Sequence, residues 1–352
     1  MADSKIEIKF VCGANKKNSF VGAASYRLNS TKTDTIRLYN KGVVIESNRT
    51  SVRGDPLKQH NSTFYKQIVK AICLYYVIER KPRPLREIAI TQNLGNVREH
   101  RQALSRQDLK QIVSKSANLT ALNAIVTSKA ALLLEETVRG RAVLHAVTHL
   151  IKSLDSTSAF DRFERLWRAF NALYRAFAKQ NTDHACHVIL RDYIQQHPTL
   201  FPLSLQLIPP LTVASIRPNV RWNEMILNNH PTVSKAVALR DSIKRVEDHR
   251  ILNIYKDSLP IRKVHLTSIG ALPGVQTHIE MHMQSRTVRD SDVLSTLCIK
   301  YMYFVRNKIA HAERADHGFS FLPGSAEEQE IQWLTSFLEA LVIDLINIAD
   351  TF

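Results

Sequence analysis

The apolar residues of this chain pass from a largely strand-like spacing to a helical one at about residue 120, and that switch constrains the fold more than any other feature. Near the N-terminus Ile6, Ile8 and Phe10 alternate with Glu7 and Lys9. This is the period-two pattern of a strand with one face buried. Residues 20–28 and 35–38 read as two more strands, Asn40-Lys41-Gly42 as a turn, and 43–45 as strand again. A helix is expected over about 62–79, with Phe64, Ile68, Ile72 and Tyr75 or Tyr76 inward, ended by Pro82 and Pro84. Residues 85–91 read as strand. Residues 95–120 are polar and basic, with a short helix at most.

From about residue 120 the period becomes that of helices. In the segment 160–179, at about 100° per residue, Phe163, Leu166, Trp167, Phe170, Leu173, Tyr174 and Phe177 fall within an arc of about 120°. Arg165, Arg168, Arg175 and Lys179 lie on the opposite face. Ser158 with Asp161 resembles a capping box at its start. Further helices are expected over 122–154 (broken near Gly140), 183–196, 233–255, from Asp290 or Ser291 to about 312, and 327–348. Pro202, Pro209, Pro210 and Pro218 mark an irregular insertion at about 198–285. The resulting expectation is α+β: a basic α+β domain over 1–115, then a mostly helical domain over 120–352.

Charge follows the same division. Residues 1–120 hold 22 of the 48 Lys and Arg but 9 of the 32 Asp and Glu, a balance of +13 out of +16 for the chain. A field of that sign attracts polyanions, RNA or DNA first. No apolar run reaches the roughly 18 residues of a membrane span, and residues 1–5 lead into a strand without a signal-peptide pattern. Cys12, Cys73, Cys186 and Cys298 are scattered, which fits free thiols in a reducing cytoplasm. With ten glycines and no phosphate-cradling loop, a Rossmann or P-loop nucleotide domain is not expected.

Function concentrates in Arg306-Asn307-Lys308-Ile309-Ala310-His311. An imidazole exchanges protons near neutrality, and a guanidinium holds a phosphate bidentately and stabilises charge building on it. On one straight helix Asn307 and His311 share a face, whereas Arg306 lies about 140° from His311. Leu294, Cys298, Tyr301, Val305, Ile309 and Ala312 form the buried stripe of that helix.

The spacing resembles the R-x4-6-H motif of the HEPN superfamily: Arg306 matches its arginine, Asn307 the polar residue that often follows, and His311 its histidine. The resemblance covers about 125–352. It implies a helical bundle in which the motif cleaves RNA without metal or cofactor, and a homodimer whose two motifs face one cleft. It further implies catalytic roles for Arg306, Asn307 and His311, and a toxin or anti-phage effector with an antitoxin or defence-system partner. The other possibility it carries is a bundle that binds RNA or a nucleotide without cutting. Lys308 and the basic face of Arg165, Arg168 and Arg175 are the candidate RNA contacts. Two patterns bear on metal binding. His278, Glu280 and His282 would share a strand face, and His184, Cys186 and His187 lack a fourth ligand; no metal is expected at either.

If the basic surface binds RNA through phosphates, the full chain should lose most of its RNA affinity between about 50 and 200 mM salt. A filter-binding series at several salt concentrations measures this, and a flat profile would show the charge to be a solubilising surface.

Overall fold

The computed structural model describes residues 2–11, 18–28, 30–48, 55–94, 97–310 and 324–352. The chain is α+β: an antiparallel sheet at the N-terminus, then a helical region. It forms two compact units, Met1–Lys179 with Leu345–Phe352, and Gln180–Asp344. The change of composition at 115–120 falls inside the first. Among the described residues no helix is long and apolar enough to cross a membrane.

The first unit is built on six strands: β1 (Ala2–Phe10), β2 (Asn18–Ser25), β3 (Thr33–Tyr39), β4 (Gly42–Ser47), β5 (Leu85–Leu94) and β6 (Val97–Ser105). Their order is β2-β3-β4-β1-β5-β6, with every neighbouring pair antiparallel. The alternating residues Ile6 and Ile8 sit at the centre, opposite Ile45 and Val43 on one side and Ile90 and Ile88 on the other. All six are buried. Gly42 opens β4 where a Cβ would stand 2.0 Å from the Ile8 carbonyl oxygen, so the turn admits no side chain there. β6 takes up the first part of the polar, basic stretch expected over 95–120. Helix α1 (Thr63–Glu79) packs on β3 and β4. Ser62 caps it by accepting from the Tyr65 amide, and Phe10 stacks on Tyr75 at 3.8 Å between ring centres.

Two antiparallel helices complete this unit, α2 (Val138–Leu154) and α3 (Ala159–Ala178), with α2 also packed on α1. Gly140 lies in the first turn of α2, after short helical turns between Thr120 and Leu134, so the break expected near it is the start of α2. The Ser158 hydroxyl caps α3. Phe163, Leu166, Trp167, Phe170, Leu173 and Tyr174 are buried, and half-buried Phe177 meets Phe352.

The second unit is helical throughout its described part, and the expected irregular insertion is mostly helix. It contains α4 (Asp183–Gln196), α5 (Trp222–Asn229), α6 (Ala236–Lys244), α7 (His249–Ser268), α8 (Leu272–Gln284), α9 (Asp290–Ser295), a π-helical turn (Thr296–Tyr301), α10 (Met302–Ala310) and α11 (Ala326–Asn347), whose last residues belong to the first unit. The single helix expected over 233–255 is two, α6 and α7. Buried Asp248 separates them, capping α7 by accepting from the Arg250 amide at 2.9 Å. The strand expected near 275–283 is α8. Pro273 starts this helix, and Val275 and Ile279, four apart, supply its buried side. Of the stripe read on the last helix, Ile331, Leu334, Leu338, Leu341, Leu345 and Ile348 are all buried. Just beyond α1, α3 and α8, Arg80, Lys179 and Arg286 take up left-handed backbone, with φ of 57°, 53° and 49°.

One charge inside the first unit carries a measurable weight. Lys70 on α1 is 0% exposed. Its ammonium donates to the carbonyls of Ser25 and Leu134 at 2.8 and 3.1 Å and faces the Glu136 carboxylate at 2.8 Å. Burial pulls its pKa down, and Glu136 opposes that pull. Glu136→Ala leaves a buried cation without its counter-charge and should destabilise the unit by about 3–5 kcal/mol. Urea unfolding followed by circular dichroism measures it; a loss under about 1 kcal/mol would mean that the two carbonyls satisfy the ammonium alone.

Candidate functional site

The helical run that ends in the motif is fixed by buried carboxylates. Asp292, 0% exposed at its start, accepts from the Glu247 amide and the Gln195 side chain, both at 2.7 Å, and from the Asp248 amide at 3.3 Å. Burial raises its pKa against those hydrogen bonds and the nearby Arg289 cation. The run then widens into the π turn. Such turns insert one extra residue into a helix and recur at functional sites. Leu294, Leu297, Cys298, Ile299, Tyr301, Met302, Phe304 and Val305 are buried, so the run is covered on most sides and not along one stripe.

At the end of the π turn the Tyr301 hydroxyl donates to Glu330 of α11 and accepts from the Arg221 amide at 2.6 Å. Arg221 closes the triangle, its Nε donating to Glu330 Oε2 at 2.9 Å. Burial raises the Glu330 pKa, while Tyr301 and Arg221 resist the rise. Burial, with Glu330 alongside, holds the Tyr301 hydroxyl firmly protonated. This network joins three segments far apart in sequence and sets where α10 starts.

Arg306, Asn307 and Lys308 occupy the last turns of α10 and are half-buried. Arg306 Nη1 donates to Asn307 Oδ1 at 3.1 Å. Among the described residues no carboxylate pairs with Arg306. The Lys308 ammonium lies 5.8 Å from the centre of the Phe304 ring. Ile309, expected in the core, is half-buried. His311, with Ala312 and Glu313, lies outside the described residues. The structure thus brings Arg306 and Asn307 into contact, and the π turn ends before them, leaving their helical spacing regular.

The other candidates fall elsewhere. Arg165, Arg168 and Arg175 lie on α3, in the first unit. Arg168 and Arg175 are exposed and Arg165 half-buried, and Arg168 is engaged by Glu164 at 2.5 Å. On α8 the His278 and His282 rings meet at 4.7 Å. His278 Nε2 is 2.8 Å from the Val246 carbonyl and His282 Nδ1 is 3.1 Å from the Thr287 hydroxyl, while Glu280 is exposed. Among the described residues no three His, Cys, Asp or Glu side chains group to hold a metal ion.

A cleft of about 460 Å³ within the second unit escaped sequence reading. The π turn forms one wall, and α4, the end of α5 and α6 contribute others. Lys300, from the π turn, donates to the Ser242 hydroxyl at 2.7 Å and the Tyr255 hydroxyl at 2.8 Å. His230 is 6% exposed. Its Nδ1 is 3.3 Å from the Lys235 carbonyl, and its Nε2 has no hydrogen-bond partner among the described residues. Its segment, Asn229-His230-Pro231, has no periodic pattern that would have singled it out.

Burial, followed by the Lys300 cation, lowers the His230 pKa to about 4; Arg262 and Lys235 add to the fall, and the Lys235 carbonyl opposes it. The unfolded imidazole, near 6.5, therefore takes up its proton first as pH falls. The stability from this residue is complete above about pH 6.5 and is lost progressively toward pH 4, roughly 2 kcal/mol of it by pH 5. Buried Asp292, Glu330 and Asp344 have raised pKa values and act in the opposite sense. The difference between wild type and His230→Asn isolates the histidine: unfolding midpoints at pH 7 and pH 5 should show a smaller acid loss in the variant, and equal losses would refute the assignment.

Compared with family models, with curated proteins and with solved structures, the chain matches none of them.

Proposed function

We propose that the chain is a metal-independent endoribonuclease of HEPN type that works as a homodimer, with Arg306, Asn307 and His311 as its catalytic residues. The observation that carries this reading is the Arg306–Asn307 contact on α10. Held by Asn307, the guanidinium offers a planar, always-charged fork of donors suited to a phosphate. The chain's balance of +16 supports the same class of substrate.

The chemistry is transesterification. His311 takes the proton of a ribose 2′-hydroxyl, and that oxygen attacks the adjacent phosphorus. The bond to the 5′-oxygen breaks, and the leaving oxygen is protonated. The products are a 2′,3′-cyclic phosphate and a 5′-hydroxyl end. Arg306 stabilises the charge that develops on the non-bridging oxygens. Asn307, whose carbonyl oxygen accepts from Arg306, orients that guanidinium. The basic face of Arg165, Arg168 and Arg175 and the ammonium of Lys308 are the proposed RNA contacts.

Purified protein should cut RNA in excess EDTA and leave the cyclic phosphate. Arg306→Ala and His311→Ala should each lower the rate on the order of 100-fold or more. Arg306→Ala should unfold within a few degrees of wild type, because the change leaves the Tyr301–Glu330–Arg221 network untouched. Wild-type cleavage by both variants would remove the motif from the mechanism.

A further inference from the structure

The cleft beside the π turn contains a cation in search of a counter-ion. Lys300 is half-buried, and among the described residues no carboxylate pairs with it. Its hydrogen-bond acceptors there, Ser242 and Tyr255, are neutral hydroxyls 3.1 Å apart. A half-buried ammonium whose partners are neutral is favoured by a negative charge placed beside it. Three more cations reach the same space: Lys235 and Arg245, both exposed and neither paired with a carboxylate among the described residues, and Arg191, which is paired with Asp192 at 2.7 Å. Among the described residues the one carboxylate lining the cleft, Asp241, is engaged by Arg240 at 2.8 Å.

The kind of anion follows from His230. The Lys235 carbonyl can only accept, so Nδ1 carries the proton, and the buried Nε2 of this cleft-lining residue keeps an unmet lone pair. An ionised carboxylate offers only acceptors and leaves that lone pair unmet. A hydrogen phosphate, or a phosphate monoester with a neighbouring hydroxyl, brings an anionic oxygen for the cations and an O–H for the imidazole. A volume of about 460 Å³ suits a small molecule.

We propose that this cleft is a binding site for a small phosphate-bearing molecule, in which Lys300, Arg245 and Lys235 hold the phosphate oxygens and His230 Nε2 accepts a hydroxyl hydrogen. The site uses none of the residues assigned to RNA cleavage.

The test is calorimetric titration of the full chain, without RNA, at pH 7.5 and about 150 mM salt, a concentration that screens diffuse surface attraction. The probes are inorganic phosphate, ribose 5-phosphate and succinate. Saturable binding of both phosphates, with succinate at least tenfold weaker, is expected. Arg245→Gln and Lys235→Gln change exposed side chains and should leave folding intact; each should weaken phosphate binding severalfold. Lys300→Met should weaken it roughly tenfold or more, the scale of a lost charge-assisted hydrogen bond. Binding unchanged in Arg245→Gln and Lys235→Gln would overturn the proposal. So would succinate binding as tightly as phosphate, or phosphate binding that is lost in Arg306→Ala and kept in Lys300→Met.

Discussion

A buried carboxylate with no water to solvate it must be met by protein donors, and Glu330 shows how much follows from that requirement. It is 5% exposed, and the Tyr301 hydroxyl and the Arg221 guanidinium reach it from two other segments of the second unit. Removing the Arg221 guanidinium would leave that charge uncompensated in the interior, a loss of several kcal/mol. The network therefore ties α11 to the π turn and to the residue that starts α5. The end of α10, where Arg306 and Asn307 stand, inherits its position from this tie. So does the wall of the cleft that carries Lys300, one residue before Tyr301.

How much of this was legible in the sequence varied with the kind of signal. Periodicity located α3, α4 and α11 closely, because a whole apolar face repeats over several turns. The alternation at Ile6, Ile8 and Phe10 located the central strand for the same reason. It failed at β6, Val97–Ser105, where charged and polar residues dominate on an edge strand with one neighbour to pair with. The His278-Ile279-Glu280-Met281-His282 alternation was misleading: the buried positions Val275 and Ile279 recur at four, and the longer period won. Nothing in the local pattern announced the π turn, since its extra residue is accommodated by contacts on most of its sides.

The candidate sites divide along the same line. Arg306 and Asn307 were legible as candidates because they are contiguous in the chain. The cleft was not, since His230, Ser242 and Lys300 are brought together only by the packing of the helical unit. Two lysines show why a charge cannot be judged from sequence. Lys70 and Lys300 both stand in apolar helical patterns, yet one is neutralised by Glu136 and the other is surrounded by neutral hydroxyls.

The three left-handed residues that follow α1, α3 and α8 have a consequence for engineering. Arg80, Lys179 and Arg286 sit where most helices would use glycine. Left-handed backbone costs a residue with a Cβ about 1–2 kcal/mol, and a cation at a helix C-terminus returns about 0.3–1 kcal/mol through the helix dipole. Each helix end is therefore held in a conformation its own side chain resists. Asparagine or glycine at these positions is a direct route to a more heat-resistant variant that keeps the fold, and each exchange would remove one positive charge from the surface.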